Sequence, residues 1–221
     1  MCKAPTYGAY IFDLDGTLLD SMNVWTQIDI DFLTGRGLVV PPDYTQAVSY
    51  LSPLEAARYT IGRFGLPDAP QALGDEWNRM AAYAYGNTVP LKPYVKEYLT
   101  ALHGTGAKLG VATSLCATLY RPALRHHGID TLFHACASTE EVSHGKARPD
   151  VFLLAAQKLG VAPKDCMVFD DIPQAVQSAK DAGMTVYGVY DDASKEHWEL
   201  IKTIADGVIY NFSQAPLPVT E

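Results

Sequence analysis

The sequence predicts an α/β protein: a doubly wound, parallel, Rossmann-like sheet core with an inserted all-helical cap domain. Two observations carry this prediction. Short apolar segments of strand length alternate with helical segments along most of the 221 residues, and one long stretch with only helical patterns interrupts the alternation. Since strand–helix alternation is typical of parallel sheets with helices on both faces, we expect one sheet core and one insertion.

Six apolar runs are predicted to form the strands of the sheet. Each is nearly continuous in its apolar character, which suits strands that are buried on both faces. The runs are residues 7–12, 107–113, 132–137, 166–170, 185–190 and 207–210.

Helices are predicted between these strands from the residues that mark their ends. Segments 93–106, 149–160 and 172–183 each carry a proline near the start and end at a glycine, which is the expected polarity of helix punctuation. The final segment, 211–221, contains two prolines, and we expect it to be loosely ordered.

A stretch without strand patterns follows the first predicted strand. Within it, Ser52, Pro53 and Glu55 have the spacing of a capping box with proline at the first helical position, and a second helical segment covers 71–86. Connections between a strand and the next helix are usually much shorter than this stretch. We therefore predict a helical cap domain at 21–87 and a catalytic core formed by 1–20 and 88–221.

Composition and charge narrow the class of protein. The formal net charge of −8 argues against nucleic-acid binding, and no apolar run is long enough to span a membrane. The N-terminal residues lack the apolar core of a secretion signal. The cysteines are far apart and form no C-x-x-C pair, so we expect a cytoplasmic protein with reduced thiols at Cys2, Cys116, Cys136 and Cys166. For the oligomeric state, a monomer is the default expectation.

Polar side chains follow three predicted strands at their carboxyl ends, and a lysine precedes a predicted helix. In open α/β sheets, ligands bind at the carboxyl ends of the strands, so we expect these groups to converge. The expected site contains four carboxylates, two hydroxyls and one ammonium, from Asp13, Asp15, Asp170, Asp171, Thr113, Ser114 and Lys146.

The crowding of carboxylates predicts a metal cofactor. Four carboxylates in one crevice repel one another, and some would become protonated unless cations compensate their charge. One lysine cannot neutralise them all, and oxygen ligands without clustered histidine or cysteine favour Mg²⁺ over zinc. Since Mg²⁺ also binds phosphate oxygens, the lysine and the hydroxyls indicate a phosphate-binding site.

These motifs resemble those of the haloacid dehalogenase-like hydrolase superfamily, in its branch of helical-cap phosphatases and beta-phosphoglucomutase-like enzymes. The four motifs are DLDGT at 13–17, VATS at 111–114, GKARPD at 145–150 and FDDIPQAV at 169–176. The third motif is usually K-P-x-P. Here Ala147 replaces the first proline, so the loop loses a rigid residue while the ammonium of Lys146 is kept.

The resemblance implies a reaction and the residues that perform it. Asp13 would attack phosphorus and form an aspartyl-phosphate, which is a form of nucleophilic catalysis. Asp15 would protonate the leaving alkoxide and then take a proton from the hydrolytic water. Thr113, Ser114 and Lys146 would bind the phosphate group.

The resemblance also implies how Mg²⁺ is bound. Its ligands would be the side chains of Asp13 and Asp171 and the backbone carbonyl of Asp15. Asp170 would act through a water molecule or from outside the ligand shell.

The resemblance leaves the reaction partly open. Asp15 argues against a dehalogenase, because halide leaves without a proton, and the absence of lysine between residues 21 and 88 argues against a phosphonoacetaldehyde hydrolase, which needs a cap lysine. A phosphomutase is disfavoured because Pro53 stands where a cap arginine would be expected. The leading prediction is a phosphatase that hydrolyses a small phosphorylated metabolite; the alternatives are a phosphomutase and a catalytically idle binding protein.

Overall fold

The structure is a computed structural model that describes residues 7–48, 51 and 53–218. The chain separates into two compact units, Met1–Met22 with Val89–Glu221, and Asn23–Thr88. The larger unit contains the sheet, and we call it the core unit. The smaller one is the helical unit, and its role as a cap domain stays a prediction.

The helical unit contains no strand among its described residues. A T-shaped contact of 5.5 Å between the rings of Phe32 and Trp77 joins its first and last helices. The guanidinium of Arg36 lies 3.8 Å from the centre of the Phe32 ring and pairs with Glu76. Ser52 lies outside the described residues, so its capping box stays a prediction. The helices are α1 Val24–Gly35, α2 Tyr44–Val48, α3 Pro53–Phe64 and α4 Pro70–Asn87.

A parallel sheet of six strands forms the centre of the core unit, in the order β3-β2-β1-β4-β5-β6. The strands are β1 Ala9–Phe12, β2 Lys108–Thr113, β3 Ala135–Ser138, β4 Cys166–Asp170, β5 Thr185–Val189 and β6 Gly207–Ile209. The predicted fold class, a doubly wound parallel sheet with an all-helical insertion after its first strand, is confirmed. Because the strand order reverses between β1 and β4, the crevice beyond their carboxyl ends is the expected ligand site of such a sheet.

Five α-helices follow or connect these strands in the described part of the core unit. They are α5 Val95–Gly104, α6 Ala117–His126, α7 Asp150–Leu159, α8 Pro173–Asp181 and α9 Trp198–Ile204. α7 packs on the sheet through buried apolar side chains, including Val151, Phe152 and Leu159. α8 starts at Pro173 and α7 ends before Gly160, as the punctuation residues predict.

Two details of the fold differ from the sequence prediction. The third strand starts at Ala135 rather than at residue 132, because Asp130–Leu132 forms a short 3₁₀ turn and pairing with β2 begins opposite Gly110. The tail is not loose over its described part, 211–218. Phe212 is 2% exposed and packs against Tyr98, which also donates a hydrogen bond of 2.8 Å to the Pro216 carbonyl.

The cytoplasmic location and the monomeric state stay predictions. None of the described helices combines the length and the apolar character that crossing a membrane requires. Cys116, Cys136 and Cys166 are free thiols, and Cys2 lies outside the described residues.

Candidate active site

β1 and β4 bring three aspartates to the same edge of the sheet. The two strands pair in register, with Phe12 opposite Phe169, and their rings stack with centres 5.0 Å apart. Asp13 extends this ladder, since its backbone N–H donates to the Phe169 carbonyl over 3.0 Å. Asp170 ends β4 and Asp171 follows it directly, so the strand register itself places these carboxyl groups beside one another.

The three carboxyl groups form a compact and buried cluster. One carboxylate oxygen of each of Asp13, Asp170 and Asp171 lies within 4.8 Å of the others. The residues are 3%, 0% and 1% exposed. Three carboxylates this close cannot all be ionised without positive charge among them.

Lys146 supplies one positive charge to this cluster. Its ammonium forms an ion pair with Asp13 and donates a hydrogen bond of 2.8 Å to Asp170 Oδ2. The lysine backbone is held in turn, because Ser178 Oγ donates to the Lys146 carbonyl over 2.7 Å. Burial alone would lower the pKa of Lys146, but the charges of Asp13 and Asp170 outweigh it and raise the pKa above its usual value.

One ammonium does not compensate the whole cluster. Burial raises the pKa of Asp13 well above its usual value, against the opposing charge of Lys146. Burial and the charge of Asp170 likewise raise the pKa of Asp171 to about 7. The cluster therefore favours binding either a proton or a further cation near neutral pH.

The oxygens of Asp170 and Asp171 differ in what they bind. Asp170 Oδ1 accepts from the backbone N–H of Ile172 over 3.0 Å and Oδ2 accepts from Lys146, so both oxygens have donors. Asp171 Oδ1 accepts from Thr17 Oγ1 over 2.9 Å. Its Oδ2 is buried and has no hydrogen-bond donor in the described part of the chain. That oxygen is the one most available to a cation.

The loop after β1 approaches Asp171 too closely for any residue but glycine at position 16. Gly16 has a φ of +74°, and a Cβ there would collide with the Asp171 carboxylate. The loop is folded by its own backbone: Gly16 N–H donates to the Leu19 carbonyl over 3.0 Å, and Thr17 N–H to the Leu14 carbonyl over 3.2 Å.

The remaining predicted site residues occupy the same loop or the end of β2. Asp15 is half-buried, and its Oδ1 accepts a hydrogen bond of 2.5 Å from Ser21 Oγ. Thr113 is buried at the end of β2, which pairs with β1, and its hydroxyl accepts from the Leu115 N–H over 3.1 Å. Ser114 follows it and is exposed. Roles for these residues stay predictions.

Sequence patterns do not single out two side chains that contact this loop. Ser21 holds Asp15, and Lys92 donates a hydrogen bond of 2.7 Å to the Gly16 carbonyl. Neither residue belongs to a recognisable motif, and a lone serine or lysine most often lies at the surface. Only the fold reveals their contacts.

Comparison with known proteins places the chain among hydrolases. The family model of haloacid dehalogenase-like hydrolases matches residues 10–189. A probable pseudouridine-5'-phosphatase of Drosophila melanogaster is 33% identical over 193 residues, which cover 82% of this chain and 80% of that protein. A fructose-1-phosphate phosphatase of Escherichia coli is 31% identical over 186 residues, covering 83% of this chain and 96% of that protein.

A solved structure shows the same fold. CbbY of Rhodobacter sphaeroides in complex with phosphate matches with a TM-score of 0.73 and covers 94% of this chain and 96% of its own. The two sequences are 21% identical, so this likeness concerns the fold.

Proposed function

Because the chain belongs to the haloacid dehalogenase-like hydrolase family, we propose that it is a Mg²⁺-dependent phosphatase of a small phosphorylated metabolite. The observation that carries the proposal is the buried cluster of Asp13, Asp170 and Asp171 around a single ammonium. The two phosphatase relatives, whose names specify sugar or nucleoside phosphates, support a phosphomonoester of that size.

The residues of the cluster fit a hard divalent cation. All donors are oxygens, two of the carboxyl groups have raised pKa values, and Asp171 Oδ2 is buried without a donor. In the proposal, Asp13, Asp171 and the Asp15 backbone carbonyl hold Mg²⁺, while Asp170, whose two oxygens already have donors, acts from outside the ligand shell. Bound there, the ion supplies positive charge that offsets the repulsion between carboxylates and phosphate oxygens.

Asp13 is the nucleophile in this proposal. Its ionised carboxylate is stabilised and oriented by the Lys146 ammonium, which pairs with it directly. An Asp13 oxygen forms a bond to phosphorus as the bond from phosphorus to the ester oxygen breaks, which leaves an aspartyl-phosphate. Lys146 thereby lies where the negative charge of the transferred phosphoryl group develops.

Asp15 carries the protons of the two half-reactions. In the first, it gives its proton to the departing alkoxide, and in the second, its carboxylate takes a proton from the water that attacks the phosphoryl group. The second step releases inorganic phosphate and the Asp13 carboxylate. The hydrogen bond from Ser21 fixes the Asp15 side chain in its half-buried position. Thr113 and Ser114 bind phosphate oxygens with their hydroxyl and backbone donors.

A panel of sugar, nucleoside and glycerol phosphate esters tests the proposal. We expect phosphate release in the presence of Mg²⁺, loss of release with EDTA, and a decrease of about 10³-fold or more in Asp13→Asn. Acid-quenched protein should carry one phosphoryl group on the peptide that contains Asp13. Turnover that survives Asp13→Asn or EDTA would refute the proposal. Isomer formation faster than phosphate release would identify a phosphomutase instead.

A further inference from the structure

The side chain of Lys92 joins its own segment of the core unit to two others, the loop at Gly16 and residues 190–191. Its ammonium donates hydrogen bonds to the Gly16 carbonyl over 2.7 Å, to the Tyr190 carbonyl over 2.6 Å and to Asp191 Oδ2 over 2.8 Å. An ammonium has three N–H donors, so each of them has an acceptor. The side chains of Lys92 and Asp191 are 11% and 7% exposed, and this shielding from water strengthens the ion pair.

The backbone of Lys92 is also bound to the loop after β1. Lys92 N–H donates to the Leu18 carbonyl over 2.9 Å, and Asp20 N–H donates to the Pro90 carbonyl over 3.0 Å. Between these bonds, Leu19 and Leu91 form an antiparallel bridge. The segments 18–20 and 90–92 therefore form a short two-stranded ribbon, and Lys92 fixes the ribbon to the site with its side chain.

Both peptide groups of Gly16 are held by this ribbon. The Gly16 N–H belongs to the same peptide group as the Asp15 carbonyl, and it donates to the Leu19 carbonyl. The Gly16 carbonyl accepts a hydrogen bond from the Lys92 ammonium. Gly16 in turn lies against the Asp171 carboxylate, where a side chain would not fit. Rotation of either peptide would change the spacing between Asp15 and Asp171.

We propose that Lys92 is a positioning residue, whose ammonium holds the Gly16 carbonyl and thereby keeps the Asp15 peptide in place beside Asp171. Without the ammonium, two backbone carbonyls lose a donor and the shielded Asp191 carboxylate loses its counter-charge. The loop then gains freedom at Gly16, the residue in it with the least intrinsic restraint. The effect on catalysis rests on the proposed function, whereas the effect on the loop does not.

Hydrogen exchange of the loop amides tests the structural part. In Lys92→Met, we expect the Gly16, Thr17 and Leu19 amides to exchange at least about tenfold faster than in the wild type. The exchange rates of the strand amides should stay unchanged. Lys96→Met is the matched control, because Lys96 lies four residues further on and donates only to the His127 carbonyl among the bonds described. Loop amides that exchange equally in both variants would overturn the inference.

A second variant keeps the test decisive if Lys92→Met does not fold. Asp191→Asn preserves an oxygen acceptor for Lys92 but removes its counter-charge, and we expect faster exchange of the same amides to a smaller extent. Unaltered exchange in Asp191→Asn, combined with a Lys92→Met protein that is unfolded, would show a role in general stability and would overturn the inference.

Metal and substrate titrations test the functional part. In Lys92→Met we expect kcat to fall and the Mg²⁺ concentration for half-activation to rise, each by about 10- to 100-fold, with KM changed much less. Lys92→Arg should recover part of kcat because it restores a cation. A wild-type protein without Mg²⁺ binding or turnover would refute the proposed function, while the exchange data would still decide the role of Lys92.

Discussion

Thr17 Oγ1 donates a hydrogen bond of 2.9 Å to Asp171 Oδ1 and so joins two residues that are 154 positions apart. The other oxygen of Asp171 is buried and has no donor among the residues that the structure describes. A buried polar atom without a partner costs about 1–3 kcal/mol. A proton and a divalent cation are therefore alternative ways of stabilising the same oxygen, which links pH to both stability and metal binding.

The first prediction concerns the metal-free protein between pH 5.5 and pH 8. Burial raises the pKa of Asp171 to about 7 in the folded state, against an ordinary value of 3.8, so below about pH 7 the folded state holds a proton that the unfolded state has released. Stability is therefore greatest at the acidic end and falls as the pH rises through 7. Urea unfolding in EDTA should show a decrease of about 2 kcal/mol over this range.

Two further measurements identify Asp171 as the source of that decrease. In Asp171→Asn, the dependence on pH should become shallower, because the amide does not titrate, while Asp13, whose pKa is also raised, still contributes. In the wild type at pH 8, Mg²⁺ should restore stability in proportion to its binding. An equally steep decrease in Asp171→Asn would contradict the assignment.

The second prediction concerns the ammonium within the cluster. Lys146→Met leaves Asp13 and Asp170 buried without their counter-charge, and removing one partner of a buried ion pair costs about 3–5 kcal/mol. The loss should be smaller at pH 5.5, where the carboxyl groups can take up a proton. Urea unfolding measures both values.

Lys158→Met provides the comparison for a lysine that is partly exposed to water. Lys158 pairs with Glu141, and the two side chains are 31% and 43% exposed, so the loss should be about 1 kcal/mol or less. Similar losses in the two lysine variants would show that the Lys146 pairs are not sheltered from solvent as the structure indicates.

The third prediction separates crowding from backbone conformation at Gly16. Gly16 and Gly37 have almost the same positive φ, +74° and +73°, but only at Gly16 would a Cβ meet other atoms, those of the Asp171 carboxylate. Gly37→Ala should therefore cost about 1–2 kcal/mol, the usual penalty of this backbone region. Gly16→Ala should cost more and should weaken Mg²⁺ binding as Asp171 is displaced, as calorimetry would show. Equal losses of stability with unchanged metal binding would argue against the close approach.

The strands and the aspartates were predictable because their signals are local. A strand buried on both faces must be apolar throughout, and the polar residues that follow it must lie at one edge of a parallel sheet. This reasoning locates Asp13 and Asp171 from the sequence alone. It also predicts that an uncompensated acidic cluster needs a cation, which the raised pKa of Asp171 supports.

The remaining features depend on partners that are distant in sequence. Lys92 binds two backbone carbonyls, and no side-chain motif marks such acceptors. The start of β3 depends on where its pairing with β2 begins. The ordered conformation of the tail depends on the packing of Phe212 against Tyr98. Pairings of this kind become visible only once the chain has folded.

Tyr94 adopts a backbone conformation that is unfavourable for its residue type. Its φ of 67° is the only positive value of a non-glycine residue in the described part of the chain. Tyr94 is the N-cap residue of α5. Its side chain is exposed, so little packing compensates the cost of the left-handed region. The position therefore offers a stabilising substitution.

Asparagine tolerates the left-handed region far better than tyrosine does, because its short polar side chain can bond locally to the backbone. Tyr94→Asn should therefore raise the free energy of unfolding by about 0.5–1 kcal/mol, which urea titration can detect. Tyr83→Asn is the control, because Tyr83 is also exposed but lies within α4, where asparagine is a poorer helix former than tyrosine. A loss of stability in Tyr94→Asn as large as in Tyr83→Asn would show that contacts of the tyrosine ring, rather than the backbone conformation, determine the free energy of unfolding at this position.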